Sequence, residues 1–296
     1  MTNDNRKAST VWDEVDWTAP SILSHDRIDD AVAHLVTYFA DFPGYTGPGY
    51  TGALFNELGG GGDRPEVAYT FTYDDIFAVS TLSVNLDTFD ALQLTGSVIN
   101  AGEEDRTAIE EGKAWNKRAS SVPIDIHEVR RLLAGLPLDL DLVRATDDHL
   151  DDADRLWREI RRYDLGPTRV SKLLARKRPK LCPVIDTYIK KQLRHSEGRV
   201  DFFKSLRRVL RDKTLALPDH LRDIRAKAMA GTTSPNAADL INREELVPGL
   251  HAEERIRKLS TLRVFDIVLW KEEEARQEIN KKKPQLKEGV MLAAQR

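Results

Sequence analysis

The stretch YDLGPTRVSKLLARKRPKLCPVIDTYIKK, residues 163–191, combines a tight turn, an amphipathic helix, a basic connector and a capped second helix. Gly166 breaks the preceding helical pattern, and Pro167 suits the first turn of a helix because its missing N–H needs no partner there. Pro179 ends this helix. An apolar run follows, and Asp186 is placed to cap the next helix. We therefore predict the order turn, helix, connector and helix for this stretch.

This order resembles the helix-hairpin-helix/GPD superfamily of DNA glycosylases over residues 163–191. Gly166 resembles the second glycine of the family's hairpin, Leu173-Leu174 its apolar pair, and residues 184–187, Val-Ile-Asp-Thr, its catalytic box. The spacing of 20 residues from Gly166 to Asp186 is also that of the family. The resemblance implies that Asp186 is the catalytic acid group. A fixed carboxylate would stabilise the positive charge that builds on the sugar during N-glycosidic cleavage, or activate the attacking water.

The match to this superfamily has several departures. Thr168 stands where bifunctional members have a lysine that forms a Schiff base, so the resemblance implies a monofunctional enzyme. Asp164 replaces the first hairpin glycine, and a carboxylate there would repel a DNA phosphate. Cys182 is the only cysteine, whereas the iron–sulfur branch needs four. Asp186 also has a purely structural interpretation, because Asp at a helix start is a common cap worth about 1 kcal/mol.

Positive charge is concentrated around this stretch. Residues 155–213 contain 19 Lys and Arg against 6 Asp and Glu, although the chain has a formal net charge of −3. A basic block is typical of solvated helix faces. Next to a hairpin it also favours a polyanionic partner, DNA or alternatively RNA. The residues predicted to contact nucleic acid are Gly166, Thr168, Arg169, Lys172, Arg176, Lys177, Arg178, Lys180 and Arg64.

A second distinctive stretch is PGYTGPGYTGALFNELGGGGDRP, residues 43–65. A glycine run lets a backbone approach phosphate, but no Walker lysine and serine follow, and a flexible connector is the simpler interpretation. If the chain is a glycosylase, Tyr45 and Tyr50 are candidates for stacking on an extruded base. The whole chain also resembles an uncharacterised bacterial family in which GALFxxLGGGGDRP, here residues 52–65, and KLLARKRP, here residues 172–179, recur.

Composition limits the remaining classes of function. The 296 residues are 41% apolar and 31% charged, which is typical of a soluble globular protein, and a single cysteine indicates a reducing cytoplasm. No stretch is long and apolar enough for a membrane span. The acidic run at residues 147–154 is more simply a solvated helix cap than a metal site, and the seven histidines show no paired ligand spacing. We predict no metal and no cofactor.

Strand signals are nearly absent, so we predict a mainly α fold in which a helix-hairpin-helix core packs against a second helical lobe, with Asp186 in the groove between them. The predicted divisions are a flexible N-terminal arm at 1–24, an N-terminal helical lobe at 25–135 with a glycine-rich loop at 43–65, the helix-hairpin-helix core at 136–230, a linker at 231–252, and a C-terminal helix with a polar tail at 253–296 that packs back on the core.

The predicted function is DNA binding, as a monofunctional DNA base glycosylase assisted by Asp186. One alternative is a nucleic-acid-binding module that keeps the same scaffold without catalysis. Another is a protein-interaction protein whose oppositely charged parts contact a partner. The sequence does not identify the target base or the oligomeric state.

Overall fold

The structure, a computed structural model, describes residues 10–44, 47–97, 124–161, 165–195 and 201–293, with side chains to residue 281. Within these ranges the chain is mainly helical and has no β-strand, which confirms the predicted α class. The helices are α1 (Val11–Glu14), α2 (Ile28–Tyr38), α3 (Tyr73–Ser80), α4 (Thr88–Thr95), α5 (Ile126–Gly135), α6 (Asp147–Arg161), α7 (Pro167–Lys177), α8 (Thr187–Leu193), α9 (Phe202–Arg211), α10 (Leu217–Thr232), α11 (Ala252–Arg257) and α12 (Thr261–Ala293).

Capping hydrogen bonds fix where several helices begin. Thr72 accepts a hydrogen bond from the N–H of Asp75, and the Asp75 carboxylate accepts one from the N–H of Thr72, which forms a capping box at α3. Thr10 and Asp87 begin α1 and α4 in the same way. Asp125 caps α5 through two N–H groups of the first turn. Because these bonds lie within one turn, the sequence can locate the helix starts.

The first part of α12 contributes much of the core. It packs against α2, α8 and α10. Its buried apolar side chains include Leu262, Phe265, Val268 and Leu269. Their removal from water is a main source of stability, because each large apolar side chain contributes about 1.5–3 kcal/mol when fully buried.

The segment predicted as one C-terminal helix contains two helices, α11 and α12. Ser260 separates them: its Oγ accepts a hydrogen bond from the N–H of Arg263 at 3.1 Å and donates one to the carbonyl of Pro179 at 2.6 Å. The first bond caps α12, and the second fixes its start to Pro179, two residues after the end of α7. A cap in the middle of an apolar pattern explains why periodicity alone does not show this break.

Residues 10–24, within the segment predicted as an N-terminal arm, pack into the core. Trp12 and Trp17 are buried. The indole N–H of Trp17 donates to His195 Nδ1 at 3.0 Å, and the N–H of Thr18 donates to the carbonyl of Leu193 at 2.9 Å. These contacts attach the segment to the end of α8.

His220, on α10, is buried without hydrogen-bond partners. It is 2% exposed, and within the described residues neither ring nitrogen has a partner. Its ring packs edge-on against His25, with 4.3 Å between the ring centroids. Burial lowers the pKa of His220 from its ordinary 6.5, and the charge of His25 acts in the same direction. The folded protein therefore favours the neutral ring.

His220→Leu is expected to stabilise the protein, with a larger gain at about pH 5 than at about pH 8. Because the pKa is lower in the folded state, the unfolded chain takes up the proton first, so stability is lost as the pH falls below 6.5 towards the folded pKa. Thermal unfolding at both pH values measures this, with the exposed His251→Leu as the control. An equal gain at both pH values would contradict the expectation.

Candidate active site

Asp186 is the N-cap residue of α8. Its Oδ1 accepts hydrogen bonds from the N–H groups of Tyr188 at 2.9 Å and Ile189 at 3.0 Å. Within the described part of the chain, Oδ2 makes neither a hydrogen bond nor an ion pair. One oxygen therefore caps the helix while the other remains available for chemistry, so the structural and the catalytic interpretations of Asp186 are compatible.

The residues before Asp186 are attached to α7. Ser171 Oγ donates a hydrogen bond to the carbonyl of Ile185 at 3.0 Å and accepts one from the N–H of the same residue at 3.1 Å. Val184 is buried. The orientation of Asp186 thus depends on α7 as well as on α8.

Asp186 lines a cavity of about 80 Å³ that also has aromatic walls. Tyr38 and Tyr50 stack with their ring centroids 5.5 Å apart. Trp270 stands edge-on to both rings, at 6.2 Å and 6.0 Å. Tyr188, in contrast, stacks on the ring of Trp270, with 5.7 Å between the ring centroids. These rings come from α2, α8, α12 and the glycine-rich stretch, so only the folded chain brings them together.

The same cavity contains two further acid–base groups, the carboxyl group of Asp266 and the amine of Lys172. Arg263 pairs with Asp266 at 2.6 Å and donates to the hydroxyl of Tyr38 at 2.9 Å. Burial raises the pKa of Asp266 to about 7, although Arg263 opposes the rise. Burial lowers the pKa of Lys172 to about 8, although the charge of Asp186 opposes the fall. An acid and an amine that titrate near neutral pH therefore share the cavity with Asp186.

Tyr50, predicted to stack on an extruded base, is fixed in this cavity. Its hydroxyl donates to Glu274 at 3.0 Å and accepts hydrogen bonds from Arg243 at 2.8 Å and Lys271 at 2.6 Å. Burial raises the pKa of Tyr50, so its hydroxyl stays protonated. The ring is held rigidly and needs no ordering before it contacts a ligand. Tyr45, the other predicted stacking residue, lies outside the described residues.

The region that forms this cavity is also the region that a protein family shares. The model of a family described as "Family of unknown function (DUF6308)" matches residues 31–113 and 123–273. The chain belongs to the DUF6308 family. Every residue that lines the cavity lies within the matched ranges. No curated protein and no solved structure matches the chain. Among the described residues of this DUF6308 protein, no helix has the length and apolar character needed to cross a membrane.

The DUF6308 fold places Arg176, Lys177 and Arg178 inside the protein, whereas the sequence analysis predicts phosphate contacts for them. Their exposed fractions are 3%, 0% and 0%. Arg176 and Lys177 form ion pairs with the buried Asp75 of α3, with 3.2 Å between Arg176 Nε and Asp75 Oδ1. Side chains enclosed in this way do not reach a phosphate on the surface. The prediction that these three residues contact phosphate is therefore corrected. Inside the protein, each cation already has a carboxylate or a carbonyl as its partner.

The three buried cations join the two motifs noted in the sequence. Each donates to backbone carbonyls in or just after the glycine-rich stretch, and a buried carbonyl without a partner would be costly. The hydrogen bonds run from Arg176 to Phe55 O at 2.5 Å, from Lys177 to Gly62 O at 3.1 Å, and from Arg178 to Ala68 O at 3.0 Å. The basic motif thus holds the glycine-rich stretch against α7.

Gly62 is packed where a side chain has no room. A Cβ at this position would lie 2.7 Å from Arg176 Cγ, 2.7 Å from Arg176 O and 2.7 Å from Asp75 Oδ1. Two of these atoms belong to the buried ion cluster and one to the backbone, so none can move easily. The glycine is required by this close approach to α7.

Gly62→Ala is expected to lower the free energy of unfolding by about 1–3 kcal/mol, because the added methyl group displaces the buried cluster. Urea denaturation measures the change. Gly135→Ala at the end of α5 is the matched control, since a Cβ there has no neighbour within 4 Å. We expect the control to stay within about 1 kcal/mol of wild type. A similar loss in both variants would show that the Arg176 contact is not the cause.

Three other predicted nucleic-acid contacts have distinct environments. Lys172 is 4% exposed and donates to the carbonyl of Leu82 at 2.7 Å, so it faces the cavity instead of the surface. Lys180 is exposed and pairs with Asp139 at 2.7 Å. Arg64 is half-buried and donates to its own loop, at the carbonyl of Gly61.

The remaining predicted nucleic-acid contacts lie at the start of α7 and are partly exposed. Gly166 is the N-cap of α7, with open space around its Cα. Thr168 is half-buried, and its carbonyl accepts a hydrogen bond from Ser171. Arg169 is half-buried and has no ion pair within the described ranges. The predicted hairpin position Asp164 lies outside the described residues.

Four aromatic or charged residues of the cavity were not predicted from the sequence: Tyr38, Arg263, Asp266 and Trp270. One signal was present. Arg263 and Asp266 interrupt the apolar run of residues 262–270 at a spacing of one turn, and charged residues on a buried helical face need partners. The same pattern would have marked the pair as buried, but it would not have placed the pair beside Asp186.

Proposed function

We propose that this protein binds nucleic acid and hydrolyses the N-glycosidic bond of a nucleotide that is extruded into the Asp186 cavity. The observation that carries the proposal is the position of Asp186, which lines an aromatic-walled cavity with an available carboxylate oxygen. The resemblance of residues 163–191 to helix-hairpin-helix DNA glycosylases supports it, because Asp186 stands where that family has its catalytic carboxylate.

The cavity suits a base in surface chemistry. Its volume of about 80 Å³ is roughly half that of an apolar cavity that holds benzene, so its walls must move apart to admit a whole base. Tyr38, Tyr50 and Trp270 offer ring faces and edges, and aromatic side chains stack on bases with about 1–3 kcal/mol per base. Enzymes that act on a base take it out of the stack into such a pocket.

The charged groups suit hydrolysis of a glycosidic bond. As the bond from sugar to base breaks, positive charge develops on the sugar, and Asp186 Oδ2 stabilises it or accepts a proton from the attacking water. The departing base needs a proton. Asp266, whose pKa is raised to about 7, and Lys172, whose pKa is lowered to about 8, are the groups that can give one up near neutral pH.

Cations that remain at least partly exposed belong to the two helices that hold Asp186. Lys190, Lys191 and Arg194 belong to α8 or follow it directly, and Arg169 lies in the first turn of α7. Within the described residues none of these four forms an ion pair. These four residues, and not the buried cations of α7, are the expected phosphate contacts. Such contacts position a protein on nucleic acid without reading the base sequence.

The experiment that tests this function is a search for released bases. The protein is incubated with genomic DNA and with duplexes that carry damaged or modified bases, without added metal, and free bases are identified by mass spectrometry. Release of a specific base would support the proposal and name the substrate. The absence of release across the panel would exclude the glycosylase function.

A non-catalytic nucleic-acid-binding module is the second candidate. The unpaired cations at α8 favour it, because they serve binding whether or not a bond is broken. Tight binding without base release would identify this function. The logarithm of the association constant should then fall linearly with the logarithm of the salt concentration. Binding that is weak and insensitive to salt would exclude both candidates.

A further inference from the structure

A second, larger cavity lies at the opposite end of α7 from the hairpin. It is a groove of about 580 Å³, within the range of about 300–1,000 Å³ that small-molecule sites occupy. Its walls come from the glycine run, the residues after α7, α10, α11 and the start of α12. Because α7 has 11 residues, roughly 16 Å of helix separates the groove from the hairpin.

The groove is lined by seven cationic side chains and three carboxylates. Arg176 and Arg263 are buried and already paired. Arg225 is half-buried, and its guanidinium donates to the carbonyl of Leu259 and has no carboxylate partner in the described part of the chain. An unpaired guanidinium in a concave site retains donors for an anion.

Arg255 is paired within the groove to Glu57, at 2.8 Å, but two other cations of the groove are held by weak surface pairs. Arg257 pairs with Glu253, and Lys258 pairs with Glu254, both one helical turn away and exposed. Pairs of this kind contribute about 0.3–0.5 kcal/mol, so a ligand that accepts hydrogen bonds can displace the carboxylates. Neither Glu253 nor Glu254 lines the groove.

The backbone of the groove also favours an anion. The helix α12 begins at Thr261, in the wall of the groove, and a helix N-terminus carries partial positive charge. Gly60 and Gly61 form the facing loop with φ values of +79° and +101°, and their lack of side chains lets a ligand approach the main chain. The only aromatic residue of the lining, Phe39, is 2% exposed, so the groove offers no ring for stacking on a base.

We propose that this groove binds a small molecule through a diphosphate group. Cations from two separate segments, Arg225 of α10 and the adjacent Arg257 and Lys258 at the end of α11, line it together with the start of α12, and linked phosphates match several donors better than a single carboxylate does. The groove shares Gly52 and Arg263 with the Asp186 cavity, but the inference does not depend on the proposed function.

The test is isothermal titration of the full chain with inorganic pyrophosphate at constant ionic strength. We expect saturable binding at one site per chain. Binding should weaken at least tenfold in Arg225→Gln and in Lys258→Gln; the Lys258 side chain is 60% exposed, so we expect the second variant to fold as wild type does. Lys227→Gln is the matched control on α10, because its side chain lies outside the groove and pairs with Asp29, and it should bind as wild type does.

The nature of the ligand is tested in the same experiment. Adenosine diphosphate should bind at the same site and be displaced by pyrophosphate. Absence of saturable pyrophosphate binding, or equal binding by Lys258→Gln, Arg225→Gln and wild type, would overturn the proposal. An oligonucleotide that competes with pyrophosphate and binds far more tightly would also overturn it, because the groove would then be part of a nucleic-acid interface.

Discussion

Asp75→Asn is expected to lower the free energy of unfolding by about 3–5 kcal/mol, because it leaves two buried cations without a counter-charge. Arg176 and Lys177 both pair with Asp75, and the side chains of all three are at most 1% exposed. The same carboxylate accepts hydrogen bonds from the N–H and the hydroxyl of Thr72, at 2.8 Å and 2.9 Å. One substitution therefore disturbs an ion cluster and the cap of α3.

Urea denaturation at neutral pH measures this loss. The control is Asp139→Asn, which removes the exposed partner of Lys180 and should change stability by less than about 1 kcal/mol. A double variant, Asp75→Asn with Lys177→Met, should recover part of the loss, because it removes one of the two uncompensated charges. If Asp75→Asn unfolds at the wild-type urea concentration, the buried cluster does not hold the glycine-rich stretch as described.

Asp186→Asn is expected to reduce base release at least 10²-fold while the protein stays folded. The amide has no negative charge to stabilise the developing positive charge on the sugar. Asn caps helices as well as Asp does, so the bonds to Tyr188 and Ile189 can be kept. Nucleic-acid affinity should remain near that of wild type, because phosphate contacts come from other residues.

The control for this variant is Asp125→Asn. Asp125 caps α5 through Oδ1, which accepts from the N–H groups of His127 at 3.0 Å and Glu128 at 3.1 Å, the same geometry as at Asp186. It lies outside the cavity, so its replacement should leave base release unchanged. Equal effects of the two substitutions would assign Asp186 a capping role alone, and full release by Asp186→Asn would remove it from the mechanism.

Some structural features of this DUF6308 protein depend only on residues that are close together in the sequence. The predicted α class and the predicted cap at Asp186 agree with the structure, because each rests on hydrogen bonds within one helical turn. The prediction of one continuous C-terminal helix was wrong at Ser260, and the reason is related. Its cap bond is local, but its second bond reaches Pro179, 81 residues away.

Tertiary structure alone decided the environment of the charges. A run such as Arg176-Lys177-Arg178 indicates a solvated face, since burying an unpaired charge is costly. Here Asp75 and backbone carbonyls more than 100 residues away remove that cost, and the run becomes part of the core.

The sequence by itself determined the α class, the helix order of residues 163–191, the cap at Asp186 and its candidacy as a catalytic residue. The fold decided that Tyr38, Tyr50 and Trp270 surround Asp186 and that Lys172 faces the cavity. Local patterns follow from backbone geometry over a few residues, whereas a cavity depends on how distant helices pack, and no short stretch encodes that packing.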